Sequence, residues 1–169
     1  MGFFKFLKQY KNYRYKQEMD FKISSLAIGI NSSVNISDDL HVLMLDYDVQ
    51  DIFKVVESVR ELMSFWRLSD AFIFRTTKGH HVFFWYDIMP YNRVRLIVDY
   101  AKYVDPLYKY VSRFYDYKTI RVAGKYLFKD IFFVTVIKGV RVPSVVEREL
   151  GDLKRSEHKS LMNTVINKK

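Results

Sequence analysis

The sequence predicts an α+β fold, an antiparallel-rich sheet with flanking helices. Three observations predict it. A short apolar run, 41–48, reads as a buried strand. Residues 49–66 repeat apolar side chains at helical spacing. Two apolar and aromatic runs, 71–77 and 80–86, meet at Lys78-Gly79, a pair suited to a tight hairpin turn. At 169 residues, 49% of them hydrophobic, the chain is long enough for one domain with its own core.

Each element follows from local pattern. Residues 2–18 read as a helix, with Phe3, Phe6, Leu7, Tyr10 and Tyr13 at helical spacing and lysines between them. A helix docked on the core is favoured there over a DNA-facing arm or a membrane-surface helix. Residues 21–40 are irregular, with Ser and Asn clustered at 31–33. The strand 41–48 comes next. In the helix 49–66, Ile52, Val55, Val56, Val59, Leu62, Met63 and Trp66 form one stripe, and Lys54, Glu57, Arg60 and Glu61 lie off it. After the two hairpin strands, Met89-Pro90 opens a second helix to about Val104, with Pro90 in a first turn that tolerates it. Asp105-Pro106 ends that helix, and 107–117 fits either helix or loop. Residues 119–122 and 131–142 read as strands, and Pro143 closes the second. Residues 144–169 form a charged tail, helical at first and frayed at its end. The domain is therefore expected over 1–143, with the basic helix at its start and the tail beyond it. The order of elements matches a split βαβ, or RRM-like, sheet with helices on one face and the other face free for a ligand.

Composition narrows the function. There are 28 Lys and Arg against 19 Asp and Glu, a formal charge of +9. That balance favours a polyanionic partner, nucleic acid being the commonest, although the same charge also keeps an aromatic-rich chain soluble. Aromatic residues interleaved with basic ones suit single strands. The absence of cysteine excludes disulfides, thiolate zinc sites and cysteine nucleophiles. No apolar run approaches the roughly 20 residues of a bilayer span, and the basic, aromatic N-terminus lacks the pattern of a signal peptide.

Against that basic background, Asp46 and Asp48 close the apolar strand. Residues two apart in a strand share a face, so the two carboxylates are expected side by side, with Tyr47 opposed. Such a pair repels unless a cation neutralises it. Oxygen-only ligands suit Mg²⁺ or Mn²⁺, and magnesium fills its remaining positions with water and substrate phosphates. Asp51 reads as decoration of the first helical turn. His80 and His81 are adjacent and face opposite sides of their strand, so one of them can join the carboxylates. A two-residue turn at Lys78-Gly79 would pair Thr76 with His81 and Thr77 with His80. Gly79 would let the backbone approach a phosphate, and Lys78 would contact it. No P-loop, dinucleotide-binding glycine pattern or HExxH is present. A replication-initiator nuclease would need His-apolar-His, which adjacent histidines do not provide.

Three segments in this order carry a resemblance: Leu45-Asp46-Tyr47-Asp48, Thr77-Lys78-Gly79-His80-His81, and Ile120-Arg121-Val122-Ala123-Gly124-Lys125. Together they resemble the archaeo-eukaryotic primase superfamily, over about residues 42–126. The resemblance implies that the first segment binds catalytic metals and that the histidine of the second contacts the incoming triphosphate. By Gly-x-His register that histidine is His81. It also implies a third metal-binding aspartate, either Asp105 or Asp116, with Asp105 preferred because it sits at an Asp-Pro break. Arg121 and Lys125 would contact triphosphate or template, alongside Lys78 and Gly79. Two departures stand out. Ala123 replaces a proline frequent in the family, and no zinc-binding cysteines or helical accessory domain are present.

The resemblance thus implies a minimal primase-polymerase core using Mg²⁺ or Mn²⁺, NTP or dNTP and a single-stranded DNA template. A helicase or other replication protein is its expected partner, and no membrane is expected. The cytoplasm of an archaeal, bacterial or virus-infected cell is its expected location. The competing expectation is a nucleic-acid-binding module on the same fold without catalysis.

Overall fold

The computed structural model describes residues 28–35, 39–123 and 131–166. The apolar run at Asp46 forms a strand both of whose faces are buried. This strand is β3 (Leu40–Tyr47), preceded by β1 (Ile28–Asn31) and β2 (Ser33–Asn35). Next come α1 (Ile52–Trp66), β4 (Ala71–Arg75) and β5 (His80–Pro90), then α2 (Tyr91–Tyr100) and α3 (Pro106–Val111). The described chain ends with β6 (Thr119–Ala123), β7 (Phe132–Ile137) and α4 (Val145–Ile166). The class is α+β, with a five-stranded sheet ordered β2-β3-β5-β4-β7 and a smaller β1-β6 pair. Every described pairing of named strands is antiparallel. Because β3 and β4 both run antiparallel to β5, the strands that α1 connects are parallel to each other with β5 between them.

The alternation of β3 assigns its side chains to two cores. Leu43, Leu45 and Tyr47 face α1 and α2, where they meet Val55, Val59 and Leu62 of α1 and Val94, Ile97 and Val98 of α2. Tyr91, the first residue of α2, turns its hydroxyl to the Ser112 carbonyl at 2.9 Å. The α1 stripe read from sequence is the buried side of that helix. Asp51 caps the helix by accepting from the Phe53 amide at 2.9 Å. Removing one fully buried aliphatic side chain such as Leu43 from this layer costs roughly 2–5 kcal/mol.

Val42 and Met44 point the other way, with Phe72, Phe83 and Trp85. Phe83 and Trp85 stack at 4.4 Å. An apolar face of this size is costly in water, and α4 lies across it. The helix backbone sits directly on β5, because a Cβ at Gly151 would be 2.4 Å from the Trp85 carbonyl oxygen. Arg155 stacks 4.8 Å over the Phe72 ring, and the His158 ring lies 4.8 Å from Phe83 and 4.9 Å from Phe74. This corrects the expectation of helices on one face only, since the face expected to be free carries α4.

Several local expectations also change. β1 and β2 lie in the stretch read as irregular. β5 continues through Pro90, so that proline ends a strand and caps α2 rather than starting a helix reaching Val104. β7 stops at Ile137. Beyond it, the buried Asp87 carboxylate ties three segments together. It accepts from the Ser69 amide at 2.9 Å, the Ser69 hydroxyl at 2.6 Å and the Arg141 guanidinium at 3.0 Å. Arg141 also pairs with Glu147 of α4 at 2.9 Å. The helix expected over 2–18 lies outside the described residues.

Candidate functional site

β3 ends at Tyr47, where the chain leaves the sheet. Asp46 is its last residue on the α4 face, and its Cα partner on β5 is His81. The His81 Nε2 stands 3.6 Å from the Asp46 carboxylate, and His81 is 7% exposed. Asp48 lies past the strand and is exposed. The same-face argument for Asp46 and Asp48 therefore does not apply as strand geometry, although the Asp48 charge still acts on Asp46.

A third carboxylate arrives from α3. The Asp105 amide donates to the Asp46 carbonyl at 2.8 Å, and Val104 bridges to Tyr47 just before it. These backbone contacts fix Asp105 beside the end of β3. Its own carboxylate caps α3 by accepting from the Leu107 amide at 2.8 Å. Asp116 acts elsewhere, on His41 and Tyr91. His41 is five residues before Asp46 on β3, about 17 Å at strand rise. Of the two candidates for a third aspartate, the fold brings Asp105 to Asp46 and leaves Asp116 at the far end of the strand.

Burial and charge shape this cluster. Burial, then Asp105, then Asp48 push the Asp46 carboxyl up to about 6, against the pull of Arg121 and Lys118. Burial holds His81 down to about 3, helped by the nearby His158 and Arg121. At neutral pH the Asp46–His81 contact therefore joins a carboxylate to a neutral imidazole, and it is not an ion pair. The His81 Nδ1 is buried without a partner among the described residues.

The hairpin differs from the expected two-residue turn. Arg75 pairs with His80 and Phe74 with His81, leaving a four-residue loop, Thr76-Thr77-Lys78-Gly79. The Thr76 amide donates to the Gly79 carbonyl at 2.8 Å, and the Thr76 hydroxyl accepts from the Gly79 amide at 3.0 Å. Neither Lys78 nor Gly79 has the left-handed φ that a type I′ turn requires. Gly79 is needed for another reason: a Cβ there would be 1.8 Å from the Tyr47 carbonyl oxygen. The space expected to admit a phosphate is filled by the end of β3. His80 faces away from His81, and its Nδ1 lies 3.0 Å from the Val49 carbonyl, pinning the chain that leaves β3. Lys78 is exposed in the loop. Arg121, exposed on β6, is close enough for its charge to act on both Asp46 and His81. Lys125 lies outside the described residues.

Two residues of the site were not picked out from sequence. Lys118 is 2% exposed, donates its ammonium to the Tyr108 carbonyl and stacks 3.9 Å over the Tyr108 ring. Burial pulls it down to about 7, opposed by Asp99, Asp105 and Asp46. Tyr108 donates its hydroxyl to the Met44 carbonyl at 2.8 Å, bracing α3 against β3. A lysine before a strand and a tyrosine in an aromatic run carry no local signal that separates them from their neighbours.

The donor set suits a hard divalent cation in its chemistry. Burial and then two neighbouring carboxylates hold Asp46 above its ordinary range, and a cation would relieve the repulsion between the carboxylates. Magnesium needs only one or two carboxylates when substrate phosphates complete its shell. Among the described residues, however, no three His, Asp or Glu side chains converge as a ready-made metal cage. No described helix is long and apolar enough to cross a membrane. No family model matches the chain, and no curated protein or solved structure matches it either.

Proposed function

We propose that this protein is a metal-dependent nucleotidyltransferase that acts on a nucleic-acid template, with primase or polymerase activity in replication. The observation that carries the reading is the gathering of Asp105 and Asp48 around Asp46 at the exit of β3, with His81 and Arg121 beside them. The β3-α1-β4-β5-α2 order, with β5 between β3 and β4, also suits an RRM-like core of the primase kind.

On this reading Asp46, Asp48 and Asp105 would hold Mg²⁺ or Mn²⁺. When bound, the metal lowers the pKa of the attacking hydroxyl and neutralises charge on the transferred phosphoryl group. A 3′-hydroxyl attacks the α-phosphorus of an NTP or dNTP, and pyrophosphate leaves. Arg121 meets the triphosphate as a fixed cation. His81, kept neutral by burial, offers a hydrogen bond to a phosphate oxygen without adding charge. The Lys118 charge acts on Asp46 and Asp105. Lys78 and Lys125 would meet the outer phosphates or the template strand. A helicase or other replication protein would deliver single-stranded DNA, in the cytoplasm of an archaeal, bacterial or virus-infected cell.

A second reading is a nucleic-acid-binding replication protein without catalysis. The absence of a converged three-ligand cage among the described residues favours it, as does the use of the Asp105 carboxylate as a helix cap. Primer synthesis and extension on single-stranded template, with Mg²⁺ or Mn²⁺, separates the two. Metal-dependent product that Asp46→Ala/Asp48→Ala abolishes is expected for the enzyme. No product with either metal, together with unimpaired DNA binding by the variant, would leave the binding module.

A further inference from the structure

We propose that a cationic groove between α1 and β7 binds single-stranded nucleic acid and leads it toward the carboxylate end of the sheet. The inference shares the nucleic-acid partner of the reading above and goes beyond it by locating a strand-binding surface outside the carboxylate cluster.

The groove encloses about 820 Å³ and has Arg60, Arg67 and Lys138 along its rim, with no carboxylate in its lining. Lys138 is paired with Asp70 at 2.6 Å. Among the described residues, neither Arg60 nor Arg67 makes an ion pair. Arg60 is on α1, and Arg67 follows the last helical residue in a left-handed conformation (φ 52°), and both line the same groove. Arg67 complements the negative end of the α1 dipole, but Arg60 is too far from that end for the same explanation. Two guanidinium groups that line one trough and have no ion partner among the described residues suit phosphates of a flexible strand.

The floor is apolar, with Val56, Met63 and Ile137. A free inorganic anion gains nothing from such a floor and is better held by converging backbone amides. A strand also carries bases, whose flat faces can lie on it. The β7 face that supplies Thr135 and Ile137 to the groove also presents Phe132, whose Cα partner is Arg75. Phe132 is 59% exposed, far more than a core aromatic, and is placed as a stacking platform.

Register connects this platform to the candidate site. Phe132 pairs with Arg75, Arg75 with His80, and His80 with Tyr47, so one rung of the sheet joins the end of β7 to the end of β3. Three strand spacings make about 14 Å. A strand lying past Arg67 and Arg60 and stacked on Phe132 therefore reaches, on the α1 face, the end of the sheet where β3 stops, with the Asp46 side chain on the α4 face of that same end.

The test is fluorescence anisotropy of a labelled oligothymidylate in EDTA across a salt series. The proteins are the wild type, Arg60→Ala/Arg67→Ala and Phe132→Ala. All the altered groove side chains are exposed, and thermal melts verify that each variant is folded. The arginine pair is expected to weaken binding and lower the salt slope by about 1.4, as for two lost single-strand phosphate contacts. Phe132→Ala is expected to weaken binding about tenfold or more at unchanged slope, the effect of one lost stacking contact. Wild-type affinity and slope in the folded arginine variant overturn the proposal. So does equal loss of duplex and single-strand binding, which marks a general basic surface. Failure of the nucleotidyltransferase reading looks different, because the wild type then incorporates no nucleotide while the groove variants still lose binding.

Discussion

Asp46→Asn tests the electrostatics of the carboxylate cluster without any substrate. Asparagine has nearly the shape of aspartate, and the contact with His81 Nε2, at 3.6 Å, is beyond hydrogen-bond range. What the substitution removes is a charge that the folded protein disfavours. Folding lifts the carboxyl from 3.8 to about 6. Below the unfolded value the group is neutral in both states and the penalty is absent. It grows as pH rises and is complete above the folded value. At 1.36 kcal/mol per pKa unit the gap corresponds to ~3 kcal/mol, and because the side chain is about one-third exposed, solvent screening reduces this to ~1–2 kcal/mol. In urea denaturation with EDTA, Asp46→Asn should therefore be the more stable protein at about pH 8 and equal to the wild type at about pH 3.5. Added Mg²⁺ should narrow the difference by stabilising the wild type more. A variant that is less stable at pH 8, or a difference that does not vary with pH, would refute the reasoning.

Three further outcomes are expected. Gly79→Ala places a Cβ 1.8 Å from the Tyr47 carbonyl oxygen, and the forced separation of β3 from the hairpin should cost ~2–4 kcal/mol in urea denaturation. Arg141→Met removes the ion partner of the 2%-exposed Asp87 side chain, which should cost ~3 kcal/mol at neutral pH by the same assay. His158, 3% exposed, is held down to about 4 from 6.5 by burial, so it stays neutral in the folded protein. Its folded value lies below its unfolded one, so acidification from about pH 6.5 toward 4 should destabilise the wild type by up to ~3 kcal/mol relative to His158→Phe, read as diverging thermal melts. His41 and His80 are common to both proteins and cancel in that comparison, whereas His81 loses the part of its lowering that comes from His158.

Periodicity made the centre of the fold legible. The α1 stripe, the apolar run of β3 and the paired runs of β4 and β5 each carry their signal within about sixteen residues. What was not legible depends on distant partners. β1 is four residues long and is a strand because β6 pairs with it, Gly29 against Arg121. α4 docks through Gly151, Arg155 and His158, which give no apolar stripe, so it reads as a solvated tail. Gly79 looked like a turn glycine, yet its constraint comes from the Tyr47 carbonyl more than thirty residues earlier. The choice between Asp105 and Asp116 likewise rests on the Tyr47–Val104 bridge, which spacing alone cannot supply.

The position of the carboxylates follows from how β3 ends. A strand buried on both faces cannot hold an ionised side chain at its middle without a partner, so Asp46 sits on its penultimate residue, where solvent first reaches it. There the backbone is held from two sides, by the Asp105 amide and by the loop at Gly79. This makes the least favourable charge in the cluster also one of the best positioned. Across the same end of the sheet the charge reverses, from Asp46, Asp48 and Asp105 at β3 to Arg75 beside β7, with Arg60 and Arg67 further along the groove. A polyanion drawn to a chain of charge +9 meets repulsion at β3 and attraction along β7. On the proposed reading its backbone can close on the carboxylates only with a divalent cation between them. Metal dependence of chemistry and metal independence of strand binding then have one electrostatic origin.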